Sequence, residues 1–384
     1  MQRVCLFARG RSFALSRKPS VSVVMSVYNG GPFVRRSVES ILSQTFTDFE
    51  FIVVDDGSTD TSSEILASCG DPRVRLLRNT TNIGLTRSLN VGLRAAQGEF
   101  VARQDADDVS LPERLASQVA AFGSDRLAAL IGTQARHVNV DGRPFDTREW
   151  RKCASPLAIE WQCMFENPFV HTSVMFRRDL VVDQLGGYDE SFRTNQDFEL
   201  WSRIVRGNYL TRNLQAECVL FRSRSGSLSS TVDEAAIQRV RGVFIENRAH
   251  SLEERPLHDR GLDILQAATN PRLRTPVRDL RPFTESLVRM HERFVALHPA
   301  AKDEAEIRVH CATLLSRVIR LVAPDAPTGI CHALAATREY DSGVFRRAIA
   351  PAALRLLAGP VLRQRRRDAR NRNVAPLSTG GRRE

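Results

Sequence analysis

Lysine is almost absent from this chain. Of its 55 basic residues only Lys18, Lys152 and Lys302 are lysines, and the rest are arginines. The formal net charge of +11 is therefore carried by guanidinium groups, which suit phosphates and carboxylates; an arginine-rich genome gives the same bias with no function attached. The seven cysteines (Cys5, Cys69, Cys153, Cys163, Cys218, Cys311 and Cys331) are odd in number and lack any C-x-x-C spacing. That excludes a zinc ribbon or a disulfide framework and fits reduced, mostly buried thiols in a cytoplasmic protein. No apolar run reaches the roughly 18 residues of a membrane span. Arg9 and Arg11 break the apolar core that a signal peptide would need. There is no G-x-G-x-x-G after the first strand and no G-K-[ST] loop, which excludes a dinucleotide site and a P-loop. Neither H-E-x-x-H nor a serine-centred elbow is present. The basic C-terminal tail has no interleaved aromatics, so no nucleic-acid partner is expected.

What is present is an ordinary globular balance, 42% hydrophobic and 26% charged, in a chain long enough for two domains. Residues 1–19 read as a disordered basic leader. Val21 to Val27 is a β-branched run ending in Tyr28-Asn29-Gly30-Gly31, a buried strand and a turn. Pro32 suits a first helical turn, and Val34, Val38, Ile41 and Leu42 form its apolar stripe. Phe51 to Val54 is a second strand that enters Asp55-Asp56-Gly57-Ser58-Thr59-Asp60 before a short helix. Val74 to Leu77 is a third, Leu85 to Ala96 a helix, and Glu99 to Ala102 a fourth strand that ends at Asp105-Ala106-Asp107-Asp108. Strand–helix alternation at this spacing predicts a mainly parallel sheet with helices on both faces. Ligands of such sheets lie beyond the carboxyl ends of the strands, where all three polar clusters fall.

Beyond about residue 235 the strand signals fade. Phe283, Leu287, Met290 and Phe294 mark one amphipathic helix, and Ile307 through Val322 another. The expected organisation is a leader (1–19), a catalytic domain (20–234), a helical appendage (235–361) and a basic tail (362–384).

The cluster Asp105-Ala106-Asp107-Asp108 carries the chemistry. Carboxylates so close repel one another unless they are solvated or neutralised by a cation, and Mg²⁺ or Mn²⁺ favours carboxylate and phosphate oxygens. Taken alone, the motif reads rather as a solvated turn before the helix near Pro112. Taken in order with the other clusters, it gains meaning. Val23-Val24-Met25-Ser26-Val27-Tyr28-Asn29, Ile52 through Ser58, Asn82-Ile83-Gly84-Leu85 through Asn90, and Gly98 through Asp108 are followed by Asn167-Pro168-Phe169-Val170-His171. Gly186-Gly187-Tyr188-Asp189 and Gln196-Asp197-Phe198-Glu199-Leu200-Trp201-Ser202-Arg203 complete the set. Over residues 21–229 this set resembles the inverting family 2 glycosyltransferases of the GT-A fold.

The resemblance implies a GT-A α/β fold and an enzyme that moves a sugar from a nucleotide diphosphate sugar to an acceptor hydroxyl, in cell-surface polysaccharide or glycolipid synthesis. Ser26, Tyr28, Asn29 and Asp56 would pack or bind the base and ribose. Arg87 would hold the nucleotide, or serve as a surface arginine. Asp105 would bind ribose or sugar, and Asp107 would be the protein ligand of a divalent metal, Mn²⁺ or Mg²⁺. Asp197 matches the catalytic base, and it could equally cap its helix. His171 and Trp201 are the candidate acceptor contacts. Two departures stand out. Gln196 precedes the base where the family often has glutamate, and Arg224 stands where a histidine often sits; arginine cannot ligate a metal but can contact a diphosphate.

Two other readings remain open. One is transfer to a polyprenyl phosphate, which would not need Asp197 in the same role. The other is a non-catalytic sugar-nucleotide or membrane-surface binding protein. The acceptor is expected to be a saccharide or lipid-linked. The apolar stretch 348–362, followed by Arg363, Arg365, Arg366, Arg367, Arg370 and Arg372, predicts a peripheral contact with an anionic inner membrane face.

Overall fold

The computed structural model of the chain describes residues 18–145, 151–224, 234–254, 280–322 and 330–341. The chain divides into two compact units, one ending at Pro256 and the other starting at Leu257.

The first unit is built on an eight-stranded sheet of order β3-β2-β1-β4-β7-β6-β8-β5. Its first half is the alternation expected from the sequence: β1 (Val21–Val27), α1 (Gly31–Leu42), β2 (Phe49–Asp55), α2 (Ser62–Ala67), β3 (Val74–Arg78), α3 (Leu85–Ala95) and β4 (Phe100–Asp105). β1 and β2 are buried along their whole length and β4 along most of it, as strands covered on both faces are; their polar side chains Ser22, Glu50, Arg103 and Gln104 are buried with them. On one face Val23, Met25 and Val53 pack with Val34, Val38 and Ile41 of α1. On the other, α3 lies so close to β1 that a Cβ on Gly92 would come within 2.5 Å of Val24 Cγ1. Only glycine allows that approach. β1 pairs in parallel with β2 on one side and with β4 on the other. The strand order therefore reverses between β1 and β4, the switch point where sheets of this kind bind ligands.

The second half is less regular. β5 (Val109–Ser110), α4 (Arg114–Ser124) and β6 (Ala128–Val138) come first, then α5 (Pro156–Cys163), β7 (Met175–Arg177), α6 (Gln196–Arg206) and β8 (Leu210–Arg222). β7 is antiparallel to both β4 and β6, while β6 and β8 run parallel with register shifts. β6 and β8 were not expected from the sequence. Gly132-Thr133-Gln134 and Asn213, together with those shifts, break the period-2 pattern on which a strand signal depends. This half is held by large buried side chains, among them Trp161, Phe165, Phe176, Phe198 and Trp201. Truncating one such aromatic to alanine costs about 3–5 kcal/mol.

α7 (Glu234–Leu252) falls within the first unit, which corrects its expected place in the appendage. Asn247 fixes it there. The Asn247 Nδ2 donates to Ser202 Oγ at 2.9 Å and to the Cys163 carbonyl at 2.8 Å, and its Oδ1 accepts from Arg206 at 2.6 Å. The Phe244 ring lies 4.8 Å from Phe198.

The second unit contains, among the described residues, α8 (Arg281–Leu297), α9 (Ala305–Val322) and α10 (Ile330–Tyr340). Both amphipathic stripes read from the sequence fall on α8 and α9. Phe283, Leu287 and Phe294 are buried, as are Ile307, Cys311, Leu314, Leu315, Val318 and Ile319. The basic leader up to residue 17, the apolar stretch 348–362 and the basic tail lie outside the described residues.

Candidate active site

Three polar loops meet at the carboxyl ends of β1, β2 and β4. Strand register sets this up: Ser26 pairs with Asp105, and Val27 with Asp55. Ser26 is nearly buried and Tyr28 half exposed. Asn29, at a φ of 50°, tolerates the left-handed conformation that the turn requires. It ties the first loop to the second, accepting from the Thr59 amide at 2.9 Å and donating its own amide to Ser58 Oγ at 3.1 Å.

Asp56 is more occupied than expected. Only 1% exposed, its carboxylate accepts from Asn79 Nδ2 at 2.8 Å and from the amides of Ile83 and Gly84, each at 2.9 Å. Its observed task is to hold the 79–84 loop at the start of α3, and little acceptor capacity is left for a ligand. Gly57 brings the two loops together: a Cβ there would lie 2.7 Å from the Thr81 carbonyl carbon. Arg87 is exposed and pairs loosely with Glu190 at 3.4 Å, as a surface arginine does.

The acidic loop joins the centre of the sheet to its edge, and its three carboxylates differ. Asp105 accepts from the Arg103 Nη2 at 2.5 Å. Burial opposes its ionisation most strongly, but Arg103, His171 and Arg114 together hold it below the usual carboxylate range. Asp108 is buried; its Oδ1 accepts from the Arg222 amide at 2.7 Å, so it fastens the loop to β8. Burial, then the charges of Asp105 and Asp107, push it well up. Asp107 keeps 22% of its side chain exposed and pairs with Arg224 Nε at 2.7 Å. Burial and the neighbouring Asp105 push it up as well.

No three His, Cys, Asp or Glu side chains converge among the described residues. An all-protein cage is not what Mg²⁺ needs, since it commonly takes one or two carboxylates and completes its shell with water and substrate phosphates. Asp107 offers such a carboxylate, crowded by a second negative charge. The donor set therefore fits a divalent ion carried with a diphosphate, provided Arg224 turns away from Asp107.

The other half contributes Asp197. The residue before α6 that adopts the cap position is Asn195, at a φ of 59° and with no side-chain cap bond. Asp197 is therefore not the cap. Its Oδ2 accepts from Asn167 Nδ2 at 2.7 Å. Glu199 forks onto Arg203, at 2.6 and 2.8 Å, and Arg203 in turn donates to the carbonyls of Leu185 and Gly187, both at 2.7 Å. That braces the 185–190 loop. Asn90 of α3 grips the same loop from the β1–β4 side, exchanging two 2.9 Å hydrogen bonds with the Tyr188 backbone.

His171 lies between the halves and is nearly buried; burial and Arg103 lower its pKa, against the pull of Asp105 and Asp197. Trp201 is fully buried, which corrects its expected acceptor contact. Its ring stands 6.3 Å from both His171 and Tyr188 and supports them from behind. Alternating sequence patterns do not say which face of α6 meets the core. Arg103, Asn167 and Tyr188 carried no expected role, although a charged residue inside the apolar β4 run was a visible signal.

The glycosyl transferase family 2 profile matches residues 22–184. The putative glycosyltransferase EpsE of Bacillus subtilis is 36% identical over 203 residues, 51% of this chain and 70% of that protein. The succinoglycan biosynthesis protein ExoO of Rhizobium meliloti is 27% identical over 325 residues, 81% of this chain and 89% of that protein. Among solved structures, residues 1–349 of S. aureus TarS, in complex with UDP-GlcNAc, align with a TM-score of 0.50 at 19% identity, covering 85% of this chain and 90% of that one. That likeness shows the GT-A fold. The chain belongs to glycosyltransferase family 2 and is a glycosyltransferase.

Proposed function

We propose that this glycosyltransferase moves a sugar, with inversion, from a nucleotide diphosphate sugar to a hydroxyl of a saccharide or lipid-linked acceptor in cell-surface polysaccharide or glycolipid assembly. One observation carries the mechanism: the 167–171 segment links the two carboxylates, its Asn167 Nδ2 donating to Asp197 Oδ2 at 2.7 Å and its His171 Nδ1 lying 3.9 Å from Asp105 Oδ2. Asp105, held ionised by Arg103, suits the ribose or sugar hydroxyls of the donor. Ser26, Tyr28 and Asn29 border the nucleotide, and Asp56 contributes chiefly by holding the 79–84 loop. Arg224 is positioned to move from Asp107 to the diphosphate.

Asp197 takes the proton of the attacking hydroxyl. The acceptor oxygen then bonds to the anomeric carbon as the carbon–oxygen bond to the diphosphate breaks, and the nucleotide leaves with that electron pair. One base and no enzyme nucleophile give inversion. A divalent metal, Mn²⁺ or Mg²⁺, when bound, supplies positive charge for the departing diphosphate, and Asp107 would hold it. The polysaccharide context is supported by the name of the relative ExoO.

The same reading places the enzyme in the cytoplasm, peripherally at the inner membrane face, on the strength of the sequence at 348–372. Co-sedimentation with anionic vesicles tests that part. The activity is tested by screening UDP-, GDP- and dTDP-sugars for nucleotide release with Mn²⁺ and with Mg²⁺. Release dependent on an added saccharide or lipid-linked acceptor is expected from at least one donor, with the anomeric configuration inverted in the product. A retained configuration would overturn the single-base mechanism.

A further inference from the structure

Arg103 sits in the middle of β4 with no exposed surface. A guanidinium there is costly unless its donors are used. Its Nη1 donates to the carbonyls of Val24 at 2.6 Å and Gln104 at 2.7 Å, and its Nη2 to Asp105 Oδ1 at 2.5 Å. Its Nε–H donates to His171 Nε2 at 3.0 Å. The Tyr188 hydroxyl lies 3.0 Å from that same nitrogen. One buried cation thus grips both the donor-side carboxylate and the histidine between the two halves.

We propose that Arg103 is a positioning residue that fixes His171 as the neutral tautomer protonated on Nδ1, so that this N–H faces Asp105 and steadies it for the donor. The proposal rests on reading Asp105 as a donor-binding carboxylate. The chemistry leaves one arrangement. A guanidinium has only donors and keeps its proton, so Nε2 must accept. An imidazolium would set N–H against N–H and two positive charges together. The tautomer protonated on Nε2 repeats the first conflict. Nδ1 then carries the proton, and it lies 3.9 Å from Asp105 Oδ2, the oxygen that Arg103 leaves free. That is about 1 Å beyond hydrogen-bonding distance, a gap that a small shift of the Asp105 side chain closes.

The charged and titratable groups facing the ring are Arg103 and Asp105 from β4, Tyr188 from the loop before α6, and Asp197 from α6. Burial, then Arg103, keep the ring neutral against the two carboxylates. With Nε2 occupied and the charged form excluded, His171 is a fixed dipole rather than a proton carrier, and the base remains Asp197.

Nitrogen NMR of the full chain labelled in its histidines reads the tautomer directly, with His171 identified by the signal lost in His171→Asn. The expected spectrum has a protonated Nδ1 and a bare Nε2 from pH 6 to 8, unchanged in nucleotide-free protein. An imidazolium signal, or a protonated Nε2, overturns the proposal without any variant needing to fold. In Arg103→Met the lock is removed, and the ring should titrate or mix tautomers; a ring that behaves as in the natural chain also overturns it.

A second arm tests the link to the donor, using calorimetry with UDP-GlcNAc and GDP-mannose as probes. The amide of His171→Asn reaches the Nδ1 position, and that of His171→Gln the Nε2 position. The asparagine variant should bind within about threefold of the natural chain, and the glutamine variant about tenfold more weakly, the scale of one hydrogen bond to a charged group. Equal losses in both variants overturn the Nδ1 assignment. Natural protein that binds neither probe while showing the expected tautomer would instead count against the donor-site reading.

Discussion

The two halves of the first compact unit are held together in different ways. In the β1–β4 half, loops are fixed by carboxylates and amides that receive backbone N–H groups, as Asp56 and Asn29 do. In the β6–β8 half, position comes from buried aromatics and long polar side chains, such as Trp161, Trp201 and Arg203. The first arrangement presents several polar groups at the end of a regular sheet, which suits a nucleotide. The second positions a single carboxylate, Asp197, on a helix packed into an aromatic core, which suits a reaction that needs one base. Chemistry and packing are thereby divided: substitutions in the first half should act mainly on binding, and those in the second on turnover or on folding, apart from His171 and Arg224, which reach Asp105 and Asp107 of the acidic loop.

The largest effect that can break this division is expected at Asp197. Asp197→Asn keeps its size and its hydrogen bond with Asn167 but cannot take a proton. Turnover should fall by about two or more orders of magnitude, the usual scale for a general base, as measured by nucleotide release with a saturating acceptor. Normal turnover would move the base elsewhere, or point to an acceptor that is already anionic.

Next in size is the seam between the halves. Asn90→Ala leaves the N–H and C=O of Tyr188 without their partners, at a cost of about 2 kcal/mol. Denaturant unfolding of the full chain measures it. A change under about 0.5 kcal/mol, the range of an ordinary surface substitution, would mean that the halves do not depend on this grip.

Arg224 gives a smaller effect that separates charge from metal. Arg224→Ala frees Asp107 but removes a cation from the diphosphate. Affinity for UDP, GDP or dTDP in chelator should fall about tenfold, a loss on the scale of one hydrogen bond to a charged group, and added Mn²⁺ should recover more of it than in the natural chain. A loss that Mn²⁺ leaves unchanged would show that Arg224 and the metal do not share Asp107.

The smallest effect lies away from the chemistry, in the second half. His137 packs with Phe145 and Phe221, and burial, then Lys152, lower its pKa from 6.5 to about 4. Below pH 6.5 the unfolded chain binds a proton that the folded chain refuses, so stability is full above that pH and is lost as pH falls towards the folded value. Between pH 7.5 and 5.5 this amounts to about 1 kcal/mol. Melting temperatures of His137→Phe across that range should fall less steeply than those of the natural chain; parallel curves would remove His137 from the account.

The same division explains what could be read from the sequence. β1 and β2 were legible because strands buried on both faces are mostly apolar runs, and β3 and β4 because short apolar stretches, Leu76-Leu77 and Phe100-Val101-Ala102, alternate with them at helix-length spacing; the loops that follow are continuous polar ones. The acidic loop was legible as a cluster, but not the different tasks within it. That Asp108 ties down β8 depends on a contact with Arg222, more than a hundred residues away. β6 and β8 were hidden because Thr133, Gln134 and Asn213 are buried polar residues whose partners come from distant segments, so local hydrophobicity misreads them. Trp201 was misplaced because an aromatic four residues after the base could as well face an acceptor as the core. α7 was misplaced because much of its attachment to the first unit runs through polar side chains, Asn247 and Arg248, whose partners lie in distant segments, beside the Phe244 ring on Phe198, rather than through a long apolar stripe.

The central claim, that donor binding and proton removal belong to separate halves, is tested most directly by comparing nucleotide binding in Asp107→Ala and Asp197→Asn. Calorimetry with UDP, GDP and dTDP, with and without Mn²⁺, gives the answer. The account predicts that Asp197→Asn binds its nucleotide as the natural chain does, with the same metal dependence, while Asp107→Ala loses the metal-dependent part. Equal losses in the two variants, or unchanged metal-dependent affinity in Asp107→Ala, would contradict it.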